Sequence, residues 1–218
     1  GRGTLAVGAR ADFLVLNADP RDDIRATREI AQVFKNGFEV DRSLGEAALD
    51  SDATAISAGT IGTFSEGNDA PTGYEWSATD DRRFGGDSTA TLSHVALEDS
   101  VPVGALRVDY SLRPGFSYPC SGLYFAATDE QPRSLRGVNE LTLTLRATPG
   151  RYRVMFFNAG AVGAPPTANI DVTEEWGDYR IRLEDIANLN RGQVSGMTIV
   201  AGPAPSEGYI ELAGAAFE

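Results

Sequence analysis

From about residue 60 onward, apolar and polar side chains alternate with a period of two. Leu106, Val108, Tyr110 and Leu112 interleave with Arg107, Asp109, Ser111 and Arg113. Leu141, Leu143 and Leu145 interleave with Thr142, Thr144 and Arg146. Tyr152, Val154 and Phe156 alternate with Arg151, Arg153, Met155 and Phe157, and Tyr179, Ile181 and Leu183 alternate with Arg180 and Arg182. Successive side chains of a strand point to opposite faces, so each segment predicts a strand with one buried face. Pro114-Gly115, Pro149-Gly150, Pro165-Pro166 and Gly202-Pro203 punctuate these runs, and the only helix-like stretch is Glu184 to Asn190. Short strands separated by turn signals predict an all-β fold, an antiparallel β-sandwich or jelly roll over residues 60–218.

The first 42 residues follow a different pattern. Phe13 to Leu16 is an apolar run short enough for a buried strand, and Gln32 to Phe34 and Phe38 to Val40 flank Lys35-Asn36-Gly37. Asn-Gly between two β-prone runs predicts a tight hairpin, because both residues tolerate the positive φ of its turn. Three strands cannot enclose a core of their own. Residues 43–59, rich in Ala, Ser and Asp and without an aromatic, read as a connector.

Charge sharpens this division. Residues 1–42 carry seven basic and seven acidic groups, whereas the remainder carries twelve basic and twenty-four acidic ones, so the net −12 of the chain lies beyond residue 42. Such an imbalance disfavours nucleic acid, whose phosphates call for clustered Lys and Arg, and disfavours an anionic membrane surface. No apolar run approaches the roughly 20 residues needed to cross a bilayer. A single Cys120 leaves no internal disulfide or Cys-rich zinc site, and a single His94 leaves no multi-His metal cage. The inventory therefore assigns no catalytic residue to this chain.

Two resemblances attach to particular residues. Gly3-Thr4-Leu5-Ala6-Val7-Gly8-Ala9-Arg10-Ala11-Asp12-Phe13-Leu14-Val15-Leu16, then Asp19-Pro20, Ile24, Val33 and Asn36-Gly37, resembles the C-terminal signature of the amidohydrolase superfamily. That resemblance implies strands returning to a small sandwich after a (β/α)8 barrel. Zinc or another divalent metal is then implied only for the barrel, whose His-x-His pair and other ligands have no counterpart here. Trp76, Asp80-Asp81-Arg82-Arg83-Phe84-Gly85-Gly86-Asp87-Ser88, Trp176-Gly177-Asp178-Tyr179-Arg180-Ile181 and Gly208-Tyr209-Ile210-Glu211-Leu212 resemble the galactose-binding-like jelly rolls. Within these, the complex I intermediate-associated protein 30 domain and the family 11 carbohydrate-binding modules are the nearest types. Such domains are often non-catalytic binding modules, some with a structural calcium ion.

Candidate site residues follow from chemistry and from resemblance. A sugar ligand asks for an aromatic face and a few polar groups to fix its hydroxyls. Trp76, Tyr118, Tyr124 and Trp176 supply the aromatics, and Asp109, Arg153, Arg180 and Arg182 supply polar groups on outward strand faces, with Arg153 and Arg182 converging if their strands are neighbours. Asp80, Asp81 and Asp87 around Gly85-Gly86 offer hard oxygens for calcium, and the resemblance adds Glu66 and Glu218. The alternative for each is a core aromatic, a solvated arginine or a capped turn. Three functions stay open: the C-terminal fragment of an amidohydrolase-like hydrolase, partnered by the rest of its parent and carrying an accessory sandwich; a stand-alone carbohydrate-binding protein; and a protein-assembly module. The compartment is unknown; a secreted or periplasmic one suits a polysaccharide ligand.

Overall fold

The computed structural model describes residues 13–35, 38–39, 53–64, 70–97, 104–161, 163–204 and 206–218. The chain divides into two compact units, residues 1–51 and 52–218. In the first, β1 (Phe13–Leu16), β2 (Ile30–Lys35) and β3 (Phe38–Glu39) form an antiparallel sheet in the order β1-β2-β3. Phe13 opposes Phe34 across the β1–β2 pair with their rings stacked at 4.6 Å. A short 3-10 turn over Ile24–Arg28, capped by the Asp23 carboxylate, connects the two strands. Lys35 opposes Phe38, and the predicted Asn36-Gly37 turn lies outside the described residues.

The second unit is an all-β sandwich of two sheets, with no α-helix among the described residues. Its strands are β4 (Thr54–Ala55), β5 (Gly59–Thr63), β6 (Tyr74–Asp80), β7 (Thr89–Ala96), β8 (Gly104–Ser111), β9 (Ser121–Ala127), β10 (Arg133–Ser134), β11 (Glu140–Ala147), β12 (Gly150–Asn158), β13 (Thr167–Val172), β14 (Gly177–Arg182), β15 (Val194–Ala201) and β16 (Glu207–Phe217). One sheet, here called the front sheet, runs β13-β12-β15-β9-β6, with β10 and β4 continuing past the end of β9. The back sheet runs β14-β11-β16-β8-β7, with β5 pairing the last residues of β16. Most pairings are antiparallel; β4 joins β10 in parallel.

The predicted alternation is what folds these strands. In β11 the buried positions are Leu141, Leu143, Leu145 and Ala147, and in β8 they include Leu106, Val108 and Tyr110. With Trp76, Leu123, Phe125, Val154, Phe156, Met197, Ile199, Ile210, Leu212 and Phe217 they make one core between the sheets. A fully buried side chain of this size contributes about 1.5–3 kcal/mol. The hydroxyls of Tyr110 and Tyr152 lie 3.0 Å apart within this core, and Tyr152 donates to the Thr148 carbonyl at 2.7 Å, so neither polar tip is stranded.

Two sequence expectations change here. Glu184 to Asn190 does not form a helix: the segment holds one 3-10 turn at Leu183–Asp185, and Asn188 takes a left-handed φ of 63°. Leu183 and Ile186 are buried and Leu189 packs against the core, a spacing of three that suits tight turns rather than an α-helix. Within the expected connector, Thr54 and Ala55 form β4 and Ile56 is buried, so the sandwich begins before residue 59; residues 43–52 lie outside the described residues.

Trp76 anchors the front sheet. It is 1% exposed, meets Phe64 edge-on and Phe125 at 5.0 Å, and donates its indole N–H to the Ile61 carbonyl at 2.8 Å. Trp76→Ala is expected to cost about 3–5 kcal/mol, to be read from urea unfolding of the purified chain.

Candidate functional site

Because Trp76, Leu123, Phe125, Val154, Phe156, Met197 and Ile199 turn inward, the residues between them turn outward on the front sheet. Register aligns them in rows. Ser77, Tyr124, Thr198, Met155 and Thr167 form one row across five strands, and Thr79, Gly122, Val200, Arg153 and Asn169 form the next. Phe157, opposite Gly196, adds a second aromatic to this face.

The middle of this face is covered. Thr198 is 3% exposed, and Val200, Met155 and Ala126 are buried too, although all four point away from the core. Tyr124 and Phe157 are half-buried and meet edge to face, with centroids 6.2 Å apart. The Tyr124 ring lies over Gly196: a Cβ there would come within 2.8 Å of ring atom Cζ. Glycine at 196 thus gives the ring its seat. Burial holds the Tyr124 hydroxyl above the ordinary phenol range, with Arg83 opposing the shift and Glu130 and Glu75 adding to it. It therefore remains a protonated donor at neutral pH.

Among the described residues two buried side-chain atoms have no hydrogen-bond partner, Nε of Arg153 and Oγ1 of Thr198, and both belong to this face. An unsatisfied buried polar group costs about 1–3 kcal/mol, so native proteins keep few of them without a use. Among the described residues the one hydrogen bond of Arg153 runs from Nη2 to the Pro119 carbonyl at 3.4 Å.

One end of the face is bordered by loops held from below. Asp81 is fully buried; its carboxylate accepts from Ser88 N–H at 2.9 Å, Ser88 Oγ at 2.7 Å and Cys120 N–H at 3.2 Å. Ser88 Oγ in turn accepts from Arg113 N–H at 3.1 Å. This network ties the 3-10 turn Asp81–Phe84 to the loop of residues 112–120. On the solvent side Phe84 stacks with Phe116 at 6.2 Å, and the Arg83 guanidinium sits 5.2 Å from the Phe84 ring centre. Phe84 is 60% and Tyr118 66% exposed.

The sequence-predicted residues separate accordingly. Tyr124 and Arg153 lie on the front face, and Tyr118 precedes the Pro119 that Arg153 contacts. Trp76 is corrected: with both neighbours aromatic and its N–H spent inside the core, it offers no face to a ligand. Asp109, Trp176 and Arg182 belong to the back sheet or its margin. Asp109 accepts from Arg107 at 2.7 Å, Trp176 lies under Arg146 at 4.8 Å, and Arg182 pairs with Glu184. Arg180 pairs with Glu140 at 3.3 Å. Arg153 and Arg182 do not converge, because β12 pairs with β13 and β15 whereas β14 pairs with β11.

Of the calcium candidates, Asp80 holds Arg82 in a two-oxygen pair, Asp81 is spent as described, and Asp87 and Glu218 are exposed. Glu66 lies outside the described residues, among which no group of three His, Cys, Asp or Glu is gathered. His94 bonds through its ring to the Phe64 carbonyl. Burial raises the Cys120 thiol above its usual pKa against the pull of Arg153, which keeps it a thiol rather than a nucleophile. A crevice near Tyr74, Phe125, Arg133 and Val194 has room for about one water molecule, too little for a sugar ring.

Thr198, Ser77 and Asn169 were missed from sequence. The signal available was the unbroken apolar run of β15, in which Thr198 is the one mid-strand hydroxyl buried on the outward side.

No protein-family model matches the chain and no curated protein does. Solved structures do. A family 11 carbohydrate-binding module of a cellulosomal cellulase of Clostridium thermocellum is similar with a TM-score of 0.52 at 9% identity, over 74% of this chain and 95% of that one. A family 11 module from Clostridium thermocellum, in complex with a β-1,3-1,4-mixed-linked tetrasaccharide, gives 0.50 at 10% identity, over 75% and 96%. The second unit thus has the β-sandwich fold of carbohydrate-binding modules; nothing in these comparisons supports an amidohydrolase part.

Two outcomes follow. Asp81→Ala leaves the amides of Ser88 and Cys120 without their acceptor and is expected to cost about 2–4 kcal/mol in urea unfolding. Thr198→Val removes an unpaired buried hydroxyl at constant shape and is expected to raise stability by about 1 kcal/mol in the same measurement.

Proposed function

We propose that the second unit is a carbohydrate-binding module whose ligand lies along the outward face of the front sheet, across Tyr124, Phe157 and Arg153. The observation that carries this reading is the pair of unpartnered buried atoms, Arg153 Nε and Thr198 Oγ1, beside two aromatic rings on the same face. An oligosaccharide supplies what this face lacks: C–H surfaces to lie on rings and hydroxyls to bond polar atoms. Both atoms are closed off from solvent, so a ligand bonds them where it displaces the groups that cover them. The fold likeness to family 11 modules supports the same reading.

The back face supports it less well. There Glu211, 2% exposed, accepts from Arg107 Nη1 and Arg146 Nε, each at 2.7 Å, and these arginines lie over Tyr209 and Trp176. Those charges and rings are engaged with one another.

As a second reading of the first unit, its resemblance to amidohydrolase C-terminal strands makes the module an accessory to a metal-dependent hydrolase. The observation in its favour is that the small β1-β2-β3 sheet leaves Leu14 and the adjoining Ile24 exposed, as strands evolved to meet further partners would be.

Affinity electrophoresis of the 218-residue chain through gels containing plant and algal polysaccharides tests the main proposal. At least one polymer is expected to retard the chain. Tyr124→Ala should weaken that retardation roughly tenfold or more, while Trp176→Ala on the back sheet leaves it unchanged. The reverse pattern would move the site to the back face, and no retardation by any polymer would overturn carbohydrate binding.

A further inference from the structure

Arg153 differs from the other arginines of the sheets. Arg107 and Arg146 hold Glu211, Arg151 holds Asp171, Arg180 holds Glu140 and Arg182 holds Glu184. Each of these guanidinium groups has a carboxylate within bonding distance. Arg153 has none among the described residues; its Nη2 makes a 3.4 Å bond to a carbonyl, and its Nε, closed off from solvent, makes no bond. Its row is uncharged as well, being Thr79, Gly122, Val200 and Asn169, and Asp171 further along β13 is already paired with Arg151.

A guanidinium without a carboxylate partner on a strand face is open to pairing with an anion brought by a ligand. Carbonyl and hydroxyl oxygens bond a guanidinium but leave its charge uncompensated. A planar or tetrahedral oxyanion matches the fork of the two terminal nitrogens, Nη1 and Nη2, with two parallel bonds, which are roughly twice as strong as neutral ones. Arg153 is half-buried as a residue, so part of its guanidinium meets solvent although Nε does not, and Gly202, with φ of 124°, packs where a side chain would run into the Pro119 carbonyl and Arg153 Nη2. The rest of the chain carries net negative charge, so it is this contact, and not a general attraction, that selects an acidic ligand.

We propose that the oligosaccharide on the front face is acidic and sets a carboxylate or a sulfate ester against the Arg153 guanidinium. This rests on the carbohydrate-binding reading and narrows it to uronate-bearing or sulfated polymers. The two sources present the same pair of oxygens and differ in the sugar that carries them.

The test compares charged polymers with charge-free counterparts at about 0.15 M salt, where repulsion from distant carboxylates is screened. Gels containing polygalacturonate, alginate, glucuronoxylan or a sulfated galactan are run beside gels containing the esterified or desulfated forms, with neutral β-glucan and mannan included. The expected result is retardation by at least one acidic polymer at a concentration roughly tenfold or more below its charge-free form. The carboxylate and sulfate arms then identify which anion is read. Arg153→Gln should erase that preference, and Arg153→Lys, which keeps the charge without the fork, should retain part of it. Equal or tighter binding of the neutral polymers overturns the acidic ligand and leaves carbohydrate binding standing, whereas no retardation by any polymer overturns both. A preference that survives in folded Arg153→Gln also overturns the assignment. If Arg153→Gln fails to show the unfolding transition of the parent chain, Arg153→Lys with the esterified and desulfated polymers decides the question.

Discussion

The contact between the inward faces of the two sheets governs everything else in the second unit. Each strand gives alternate side chains to that contact, and a shift of register by one residue would turn Leu141, Leu143 and Leu145 to solvent and bring Thr142, Thr144 and Arg146 into the core. Hydrophobic burial therefore fixes which positions are left for chemistry. Only outward residues can meet a ligand, and the order of strands decides which of them become neighbours.

The two outward faces use this freedom differently. On the back sheet the row Arg146, Glu211 and Arg107 closes on itself: one buried carboxylate is shared by two guanidinium groups, and each of these is laid over an aromatic ring. Breaking such a cluster leaves charge uncompensated, which makes it a fixture of the sheet rather than an open site. On the front sheet Gly122, Ala126 and Gly196 keep the floor low, Tyr124 rests across it, and Arg153 and Thr198 keep polar atoms without partners. Small side chains in the middle of a sheet weaken its packing, and here the Gly196 position is taken up by the Tyr124 ring.

The strands of this fold were largely legible, because β8, β11 and β14 each have one wet face and so print their periodicity in the sequence. β15 is buried on both sides, so its residues carry no alternation and reveal neither their facing nor their neighbours. Strand order was not legible at all. Arg153 and Arg182 occupy equivalent outward positions on their strands, yet belong to opposite sheets, and nothing in local pattern distinguishes those outcomes. Trp76 was ambiguous for a related reason. An indole beside polar neighbours reads equally as a platform or as a core residue, and the Ile61 carbonyl that satisfies its N–H comes from a strand fifteen residues away. Tyr124 and Arg153 were recognisable as an aromatic and a cation, but Thr198 acquired its interest only from being buried on the outer side.

The position of β16 has consequences for how this unit comes to exist. It lies between β11 on one side and β8 and β5 on the other, so strands drawn from residues 59 to 147 all depend on a segment that follows residue 206. Until that segment is available, the back sheet is three separate pieces, β14-β11, β8-β7 and β5, with open edges, and its apolar face lacks the Ile210, Leu212 and Phe217 side chains that join them in the core. Assembly of the sandwich is thus deferred to a late, long-range closure of the kind that makes β-topologies slow to fold. In a cell, the interval before closure is when these edges would need protection from one another and from other chains.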